Sequence, residues 1–271
     1  MALHLPWNLR RYLRLYFRYL SQNIKSLMSY RADFILGFLG FLGNQLLGVA
    51  FIGFVFAAVP SLAGWSFNEI LFIYGFAQIP RGLDHIFTDN LWILAWRLVA
   101  KGDFDRFLLR PLSPLFQVLA DRFQPDGAGE LVAGIAILSV AWSRLSIGPD
   151  VLRLVLLVPA ITGGFLIYTA VKLSLASAAF WVKNAQGYLF AAYKVADFAM
   201  YPVGIFPGAL RFIMTFVLPF AFTSYYPAAA LLGRESIALG IFGSLAAGIL
   251  ASALAGLAWK AGLRAYESAG S

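Results

Sequence analysis

The sequence predicts an all-α integral membrane protein with six transmembrane helices, and three observations predict it. Of its 271 residues, 61% are hydrophobic and 13% are charged, against about 45–50% and about 25% in soluble domains. The apolar residues form blocks close to the roughly 20 residues that a helix needs to cross a bilayer. The basic residues cluster beside these blocks, where they are typical of anchors on the inner face of a membrane, so the net charge of +8 does not indicate nucleic-acid binding.

Residues 6–31 are predicted to form an amphipathic helix that lies in the membrane interface. Their basic and polar residues recur at spacings that place them on one helical face: Arg10, Arg11, Arg14, Arg18, Gln22 and Lys25. Aromatic and aliphatic residues fill the opposite face: Trp7, Leu13, Tyr16, Phe17, Leu20, Ile24 and Leu27. A helix with one basic and one apolar face lies along a membrane rather than across it.

Six apolar blocks follow this arm and are the predicted spans. They cover residues 34–59, 67–87, 127–143, 152–179, 183–206 and 236–259. Lys and Arg are frequent in the arm and in residues 81–122, whereas the loop at 60–66 has neither. The positive-inside rule therefore places both termini and a loop at 88–122 in the cytoplasm.

A proline-broken segment at 207–233 separates the last two blocks and is predicted to be a re-entrant helical hairpin at the outer face. Four prolines interrupt residues 201–233: Pro202, Pro207, Pro219 and Pro227. Broken helices at membrane depth survive only when they are packed in protein or line a wet cavity. A second interpretation stays open, in which 207–230 is the fifth span and 183–200 is a cytoplasmic helix.

The sequence lacks the motifs of common catalytic sites. It has no P-loop, no His-Glu-x-x-His, no Gly-x-Ser-x-Gly and no Rossmann glycine pattern. It has no cysteine and two histidines, which argues against a metal site. Asp103 and Asp105 are two residues apart and would not face each other on a helix, so they indicate surface contacts rather than catalysis. We therefore expect a protein that is not an enzyme and that binds no cofactor or metal itself.

Two ionisable residues lie well inside the predicted fifth span. Lys194 and Asp197 are three residues apart, so they can pair on one helical face. Buried ionisable groups in a membrane usually face the protein interior or water. The pair therefore indicates either a polar lining of a transport path or a self-neutralising contact between helices. The other candidates for a path or gate belong to the proline-rich region: Tyr201, Pro202, Pro207, Arg211 and Pro219.

The inner loop, residues 97–111, carries both signs of charge between two membrane-length blocks and is predicted to contact a partner protein. The candidate contact residues are Arg97, Lys101, Gly102, Asp103, Phe104, Asp105, Arg106, Phe107 and Arg110. Phe104 and Phe107 are the expected apolar anchors of that contact.

Two motifs resemble one bacterial branch of the ABC-2 exporter permeases, whose substrates are uncharacterised. The stretch Lys101-Gly-Asp-Phe-Asp-Arg-Phe-Leu-Leu-Arg110-Pro111 is similar to its (K/R)-G-(D/E)-(F/L)-D-x-x-L-L-R-P loop. The stretch from Tyr201-Pro202 to Tyr226-Pro227 is similar to its outer segment with four prolines. The order of arm, spans and loops is similar over nearly the whole chain.

The resemblance implies a division of labour. Two permease chains, alike or different, would form the path in a bacterial inner membrane, and two separate ATPase subunits would bind ATP and Mg. The loop between the second and third spans would carry the coupling helix, and the arm would be a connecting helix in contact with lipid. Reasoning from the residues alone leaves two alternatives: an ion-gradient-driven transporter that uses Lys194 and Asp197 as a relay, and a membrane scaffold without transport.

Overall fold

The computed structural model describes residues 9–29, 31–145, 147 and 150–268. All regular elements within these ranges are helices, in agreement with the predicted fold class. The α-helices are α1 (Leu9–Ser29), α2 (Arg31–Ala58), α3 (Phe67–Thr88), α4 (Asn90–Ile93), α5 (Asp105–Leu108), α6 (Pro114–Asp121), α7 (Ala128–Arg144), α8 (Val151–Ser177), α9 (Ala179–Val182), α10 (Gln186–Phe198), α11 (Gly208–Phe212), α12 (Tyr225–Leu231) and α13 (Gly243–Ala265).

Helix α1 corresponds to the predicted arm and packs on the short helix α6. The ring of Tyr12 lies edge-on to that of Phe116, with centroids 4.8 Å apart. The hydroxyl of Tyr12 also accepts a hydrogen bond from the backbone N–H of Ser113 at 3.3 Å. Residues 6–8 and 30 of the predicted arm, including Trp7, lie outside the described residues.

Three helical stretches of the described chain are long and apolar enough to cross a membrane: Arg31–Ala58, Val151–Val182 and Ala238–Ala265. They contain α2, α8 and α13. Helix α3 has 22 residues but carries several charged ones, and α7 has 17 residues. The chain is therefore an all-α membrane protein, while the count of six spans stays a prediction.

Two helix pairs pack so closely that glycine is required between them. A Cβ atom on Gly163 of α8 would lie 2.6 Å from the backbone of Ser244 in α13. A Cβ atom on Gly75 of α3 would lie 2.6 Å from the backbone N of Leu138 in α7. Close approach of small residues is a common way to pack helices in lipid, where burial of apolar surface gives little drive.

The predicted fifth span at 183–206 is not one continuous helix. Only Gln186–Phe198 is α-helical there, and its 13 residues are too few for the roughly 20 that a span needs. A positive φ of 62° at Lys183 ends the preceding helix, and the chain turns again before Pro202. The alternative span at 207–230 is likewise divided into short helices, because prolines cannot donate the backbone hydrogen bonds of a long one.

The proline-broken segment packs against the bundle with its central turn. Phe220 is fully buried, and its ring lies 5.4 Å from that of Tyr168 in α8. The hydroxyl of Ser224 donates to the carbonyl of Ala199 at 2.5 Å, and the hydroxyl of Ser244 donates to the carbonyl of Phe222 at 2.6 Å. Such contacts meet the requirement for irregular backbone at membrane depth. The dip of this segment from the outer face stays a prediction.

Candidate functional site

The inner loop is a compact turn built on a glycine. The helix that begins at α4 continues as a π-helical turn over Leu94–Leu98, and the chain then reverses at Gly102. Gly102 has a φ of 73°, a conformation that residues with a Cβ rarely adopt. The backbone N–H of Phe104 donates to the carbonyl of Leu98 at 2.9 Å and closes the turn. Gly102 therefore shapes the loop.

Phe104 and Phe107, which the sequence predicts as anchors for a partner, are buried within the chain. Phe104 is 0% exposed and Phe107 is 1% exposed. The ring of Phe104 lies 5.1 Å from both Phe180 and Tyr266 and 6.1 Å from Trp259. This aromatic cluster joins the loop to the ends of α9 and α13. The two phenylalanines thus support the loop from inside and are not available to a partner in this conformation.

Asp105 is held by the part of the chain that follows α13. Its carboxylate accepts hydrogen bonds from the hydroxyl of Tyr266 at 2.8 Å and from the hydroxyl of Ser268 at 2.5 Å. Burial and the hydrogen bond to Asp105 raise the pKa of Tyr266 to about 12. Tyr266 therefore stays a hydrogen-bond donor at physiological pH, and Asp105 is fixed from one side.

The other charged side chains of the loop differ in how much they are already engaged. Arg97 lies 3.5 Å from Asp103, and each side chain is about half exposed. Arg106 lies 3.1 Å from Asp121 and places its guanidinium 4.7 Å from the centre of the Phe107 ring. These pairs hold the loop together and reduce the charge that it presents outward.

A mixed apolar and basic surface remains on the loop, and we call it the coupling patch. Leu109 is 85% exposed and Leu108 is 44% exposed. Lys101 and Arg110 are also exposed, so the coupling patch comprises Lys101, Leu108, Leu109 and Arg110. The leucines were missing from the predicted contact residues. The sequence does indicate them, since two adjacent leucines in a charged loop are apolar side chains that a partner protein could bury.

A second cluster of charges is buried among α3, α8 and α10. The ammonium of Lys172 is fully buried and lies 2.8 Å from Asp84 and 2.6 Å from Asp89. Asp84 also accepts hydrogen bonds from the hydroxyls of Thr88 at 2.5 Å and Tyr193 at 2.7 Å. A buried ion pair is tolerated when further hydrogen bonds satisfy its remaining lone pairs and protons, as they do here.

The charges continue from this cluster along α3. The guanidinium of Arg81 lies 2.8 Å from Asp197 of α10 and 3.9 Å from Glu130 of α7. The imidazole of His85 lies between Glu130 and Asp89, with nitrogen–oxygen distances of 3.7 Å to each. We call the whole group the ionic network; its members are Arg81, Asp84, His85, Asp89, Glu130, Lys172, Tyr193, Lys194 and Asp197. It joins four helices through charged contacts.

The predicted pairing of Lys194 with Asp197 is present, with 3.3 Å between ammonium and carboxylate. Asp197 is also the partner of Arg81, so the pair is the exposed end of the ionic network. The side chain of Lys194 is 79% exposed and that of Asp197 is 37% exposed. An exposed charge pair is poorly suited to lipid contact, so this surface suits water or another protein chain.

The remaining predicted path residues lie farther along the chain. Tyr201 helps to line an apolar groove of about 330 Å³ between α2, α3 and the segment after α10. Pro202 is buried, Pro207 is exposed, and Pro219 begins the turn over Phe220–Thr223. Arg211 is exposed and donates to the carbonyl of Phe206 at 3.4 Å. The structure therefore brings Lys194 and Asp197 together but spreads the other candidates along the segment.

Most of the ionic network lies outside the predicted site residues, although the sequence of α3 contains an indication of it. Arg81, Asp84, His85 and Thr88 recur at spacings of three, one and three, which places them on one face of a helix. Lys172 lies deep in the fourth apolar block, where a charge needs a partner. Neither fact identifies the partner, because Lys172 and Asp84 are far apart in the sequence. Among the described residues, no group of His, Asp and Glu side chains could hold a metal ion.

These features define a class of protein. The chain is a multi-pass membrane protein with buried ion pairs and an exposed loop that carries both charged and apolar side chains. A family model described as "ABC-2 family transporter protein" matches residues 42–270. The chain therefore belongs to the ABC-2 family of transporters and is an ABC-2 type permease, a membrane transport domain rather than a catalytic one. Comparisons with curated proteins and with solved structures give no match.

Proposed function

We propose that this permease is a subunit of an ATP-driven exporter and that the coupling patch is its contact with the ATPase subunits. The observation that supports this proposal is the contrast within the inner loop. Its aromatic residues are buried inside the chain, while four other side chains of the loop are exposed: Lys101, Leu108, Leu109 and Arg110. A rigid loop can transmit motion to the helices behind it, provided that the contact differs between the states of the partner.

The partners follow from the family. ABC-2 permeases work with ATPase subunits in general, and we propose two such subunits that carry ATP and Mg. A second permease chain, identical or different, completes the transport path. The exposed end of the ionic network at Lys194 and Asp197 faces that path, because an exposed charge pair is costly in contact with lipid.

The orientation in the membrane completes the proposal. We place the chain in a bacterial inner membrane, with both termini and the inner loop in the cytoplasm. The distribution of Lys and Arg along the sequence supports this orientation. Helix α1 then lies in the inner membrane interface beside α6.

Charge reversal in the coupling patch tests the proposal. We expect Lys101→Glu with Arg110→Glu to weaken association with the co-purifying ATPase at least about tenfold, because an ATPase surface complementary to the basic patch would then face like charges. Purification from the native host in mild detergent, followed by titration of the ATPase onto the permease, measures this effect. Vanadate-sensitive ATPase activity of the reconstituted complex gives a second readout.

Reversal of two other exposed basic residues is the matched control. Lys260→Glu with Arg264→Glu changes the charge by the same amount at the end of α13, outside the loop, and should leave association unchanged. Equal loss in both variants would show a general effect of net charge. Full association of the coupling-patch variant would exclude the patch as the ATPase contact.

A further inference from the structure

Helix α1 exposes a row of basic residues that the described chain does not neutralise. Arg10, Arg11, Arg14 and Arg18 are all exposed, and α1 contains no Asp or Glu. Within the described residues, none of these four arginines has a carboxylate partner. Arg11, Arg14 and Arg18 follow each other at spacings of three and four, so they line one side of the helix.

The same helix also exposes apolar side chains. Phe17 is 63% exposed, Leu13 is 49% exposed and Ile24 is 46% exposed. A helix that presents unpaired arginines beside exposed apolar residues matches the two layers of a membrane surface, with phosphate headgroups above acyl chains. A soluble protein partner would not require both features along the whole helix.

A polar cleft lies where α1 meets the end of α6. It has a volume of about 470 Å³ and is lined by Arg18, Tyr19, Gln22, Asn23 and Asp121. Asp121 is already paired with Arg106 at 3.1 Å, so its charge is largely compensated. The amide of Asn23 already donates to the carbonyl of Tyr19 at 3.0 Å. The cleft therefore offers the guanidinium of Arg18 and the side-chain amide of Gln22, and such donors can bind a phosphate.

The residues around this cleft also contact the inner loop. The hydroxyl of Tyr19 accepts a hydrogen bond from Arg110 at 3.4 Å. On the same helix, Tyr12 packs on Phe116 and accepts from the N–H of Ser113. A ligand that fixes α1 would therefore also restrict the segment that follows the coupling patch.

We propose that α1 binds the headgroups of anionic phospholipids, with one headgroup in the cleft beside Arg18, and that this binding orders residues 106–121. The lipid site rests on α1 and on its cleft with the end of α6, whereas the importance of this site for coupling rests on the proposed function. Because an arginine near an anionic surface contributes roughly a factor of five in affinity, the loss of two should weaken binding roughly twenty-five-fold.

The test uses the full-length permease in detergent, titrated with phosphatidylglycerol or phosphatidylcholine and observed by native mass spectrometry. We expect the wild type to bind phosphatidylglycerol more tightly, and Arg14→Gln with Arg18→Gln to lose that preference. Lys260→Gln with Arg264→Gln removes two exposed charges elsewhere and should keep it. Thermal unfolding of each variant verifies that the fold is intact.

Hydrogen exchange measures the second part of the proposal without any ATPase. Phosphatidylglycerol should slow exchange in residues 106–121 of the wild type but not of the Arg14→Gln, Arg18→Gln variant. Equal binding of both lipids, or equal preference in both variants, would overturn the lipid site. Glycerol 3-phosphate that binds as tightly as the lipid would show a site for a soluble phosphate instead. Unchanged exchange on binding would overturn the link to the inner loop.

Discussion

The ionic network and the coupling patch use charged residues in opposite ways. In the ionic network, Lys172 is fully buried and its ammonium is paired with both Asp84 and Asp89. In the coupling patch, Lys101 and Arg110 are exposed beside Leu109, which is 85% exposed, and Arg110 makes one hydrogen bond, to the hydroxyl of Tyr19 in α1. The network therefore connects helices of the bundle to one another, whereas the patch leaves exposed charged and apolar side chains for the proposed ATPase contact. Substitutions in the two regions should separate stability from coupling.

Removal of the buried lysine should have the largest effect on stability. Lys172→Met leaves the carboxylates of Asp84 and Asp89 without their cation, and breaking a buried ion pair in this way typically costs about 3–5 kcal/mol. Thermal and denaturant unfolding of the purified permease in detergent measures the loss. Lys194→Met is the matched control, because its ammonium is largely exposed, and it should change stability by less than about 1 kcal/mol. A Lys172→Met protein as stable as the wild type would mean that the buried cation is dispensable for the fold.

Removal of one hydroxyl from the ionic network should have an intermediate effect. Tyr193→Phe deletes the donor that lies 2.7 Å from Asp84, and hydrogen bonds to charged groups contribute about 1.5–3 kcal/mol. The same unfolding measurements apply. Tyr188→Phe on the same helix is the control, since Tyr188 is 52% exposed and should tolerate the change. Equal stability of the two variants would argue that Asp84 is sufficiently satisfied by Lys172 and Thr88.

Substitution in the coupling patch should have the smallest effect on stability and a clear effect on association. Leu109→Asp adds a charge to a side chain that is 85% exposed, so stability should change by less than about 0.5 kcal/mol. ATPase association should fall, because the new carboxylate must be desolvated in the interface. Leu109→Met keeps an apolar side chain and should retain association. Loss of stability in Leu109→Asp would place Leu109 with the structural residues instead.

The sequence was sufficient for the parts of the fold that depend on local pattern. The spacing of basic residues in α1 and the apolar content of α2, α8 and α13 each indicate a helix without knowledge of the rest of the chain. The pairing of Lys194 with Asp197 is equally local, since one turn of helix brings the two side chains together.

Features that depend on contacts between residues far apart in the sequence cannot be predicted from local pattern. Phe104 was assigned to a partner protein because nothing near it in the sequence shows that Trp259 and Tyr266 surround its ring. The predicted fifth span is longer than α10 for a related reason. Apolar composition continues through residues 183–206, but the chain ends one helix at Lys183 and turns again at Pro202, and composition does not show where a helix stops.

The contacts that hold the inner loop in place form late in the synthesis of the protein. Tyr266 lies 161 positions after its hydrogen-bond partner Asp105, and Trp259 of the aromatic cluster is made almost as late. A contact between such distant residues cannot form until the later one has been synthesised and the intervening helices are in place. A partly synthesised permease therefore leaves Phe104 without its surroundings, and only the completed chain offers the proposed ATPase surface in its final shape.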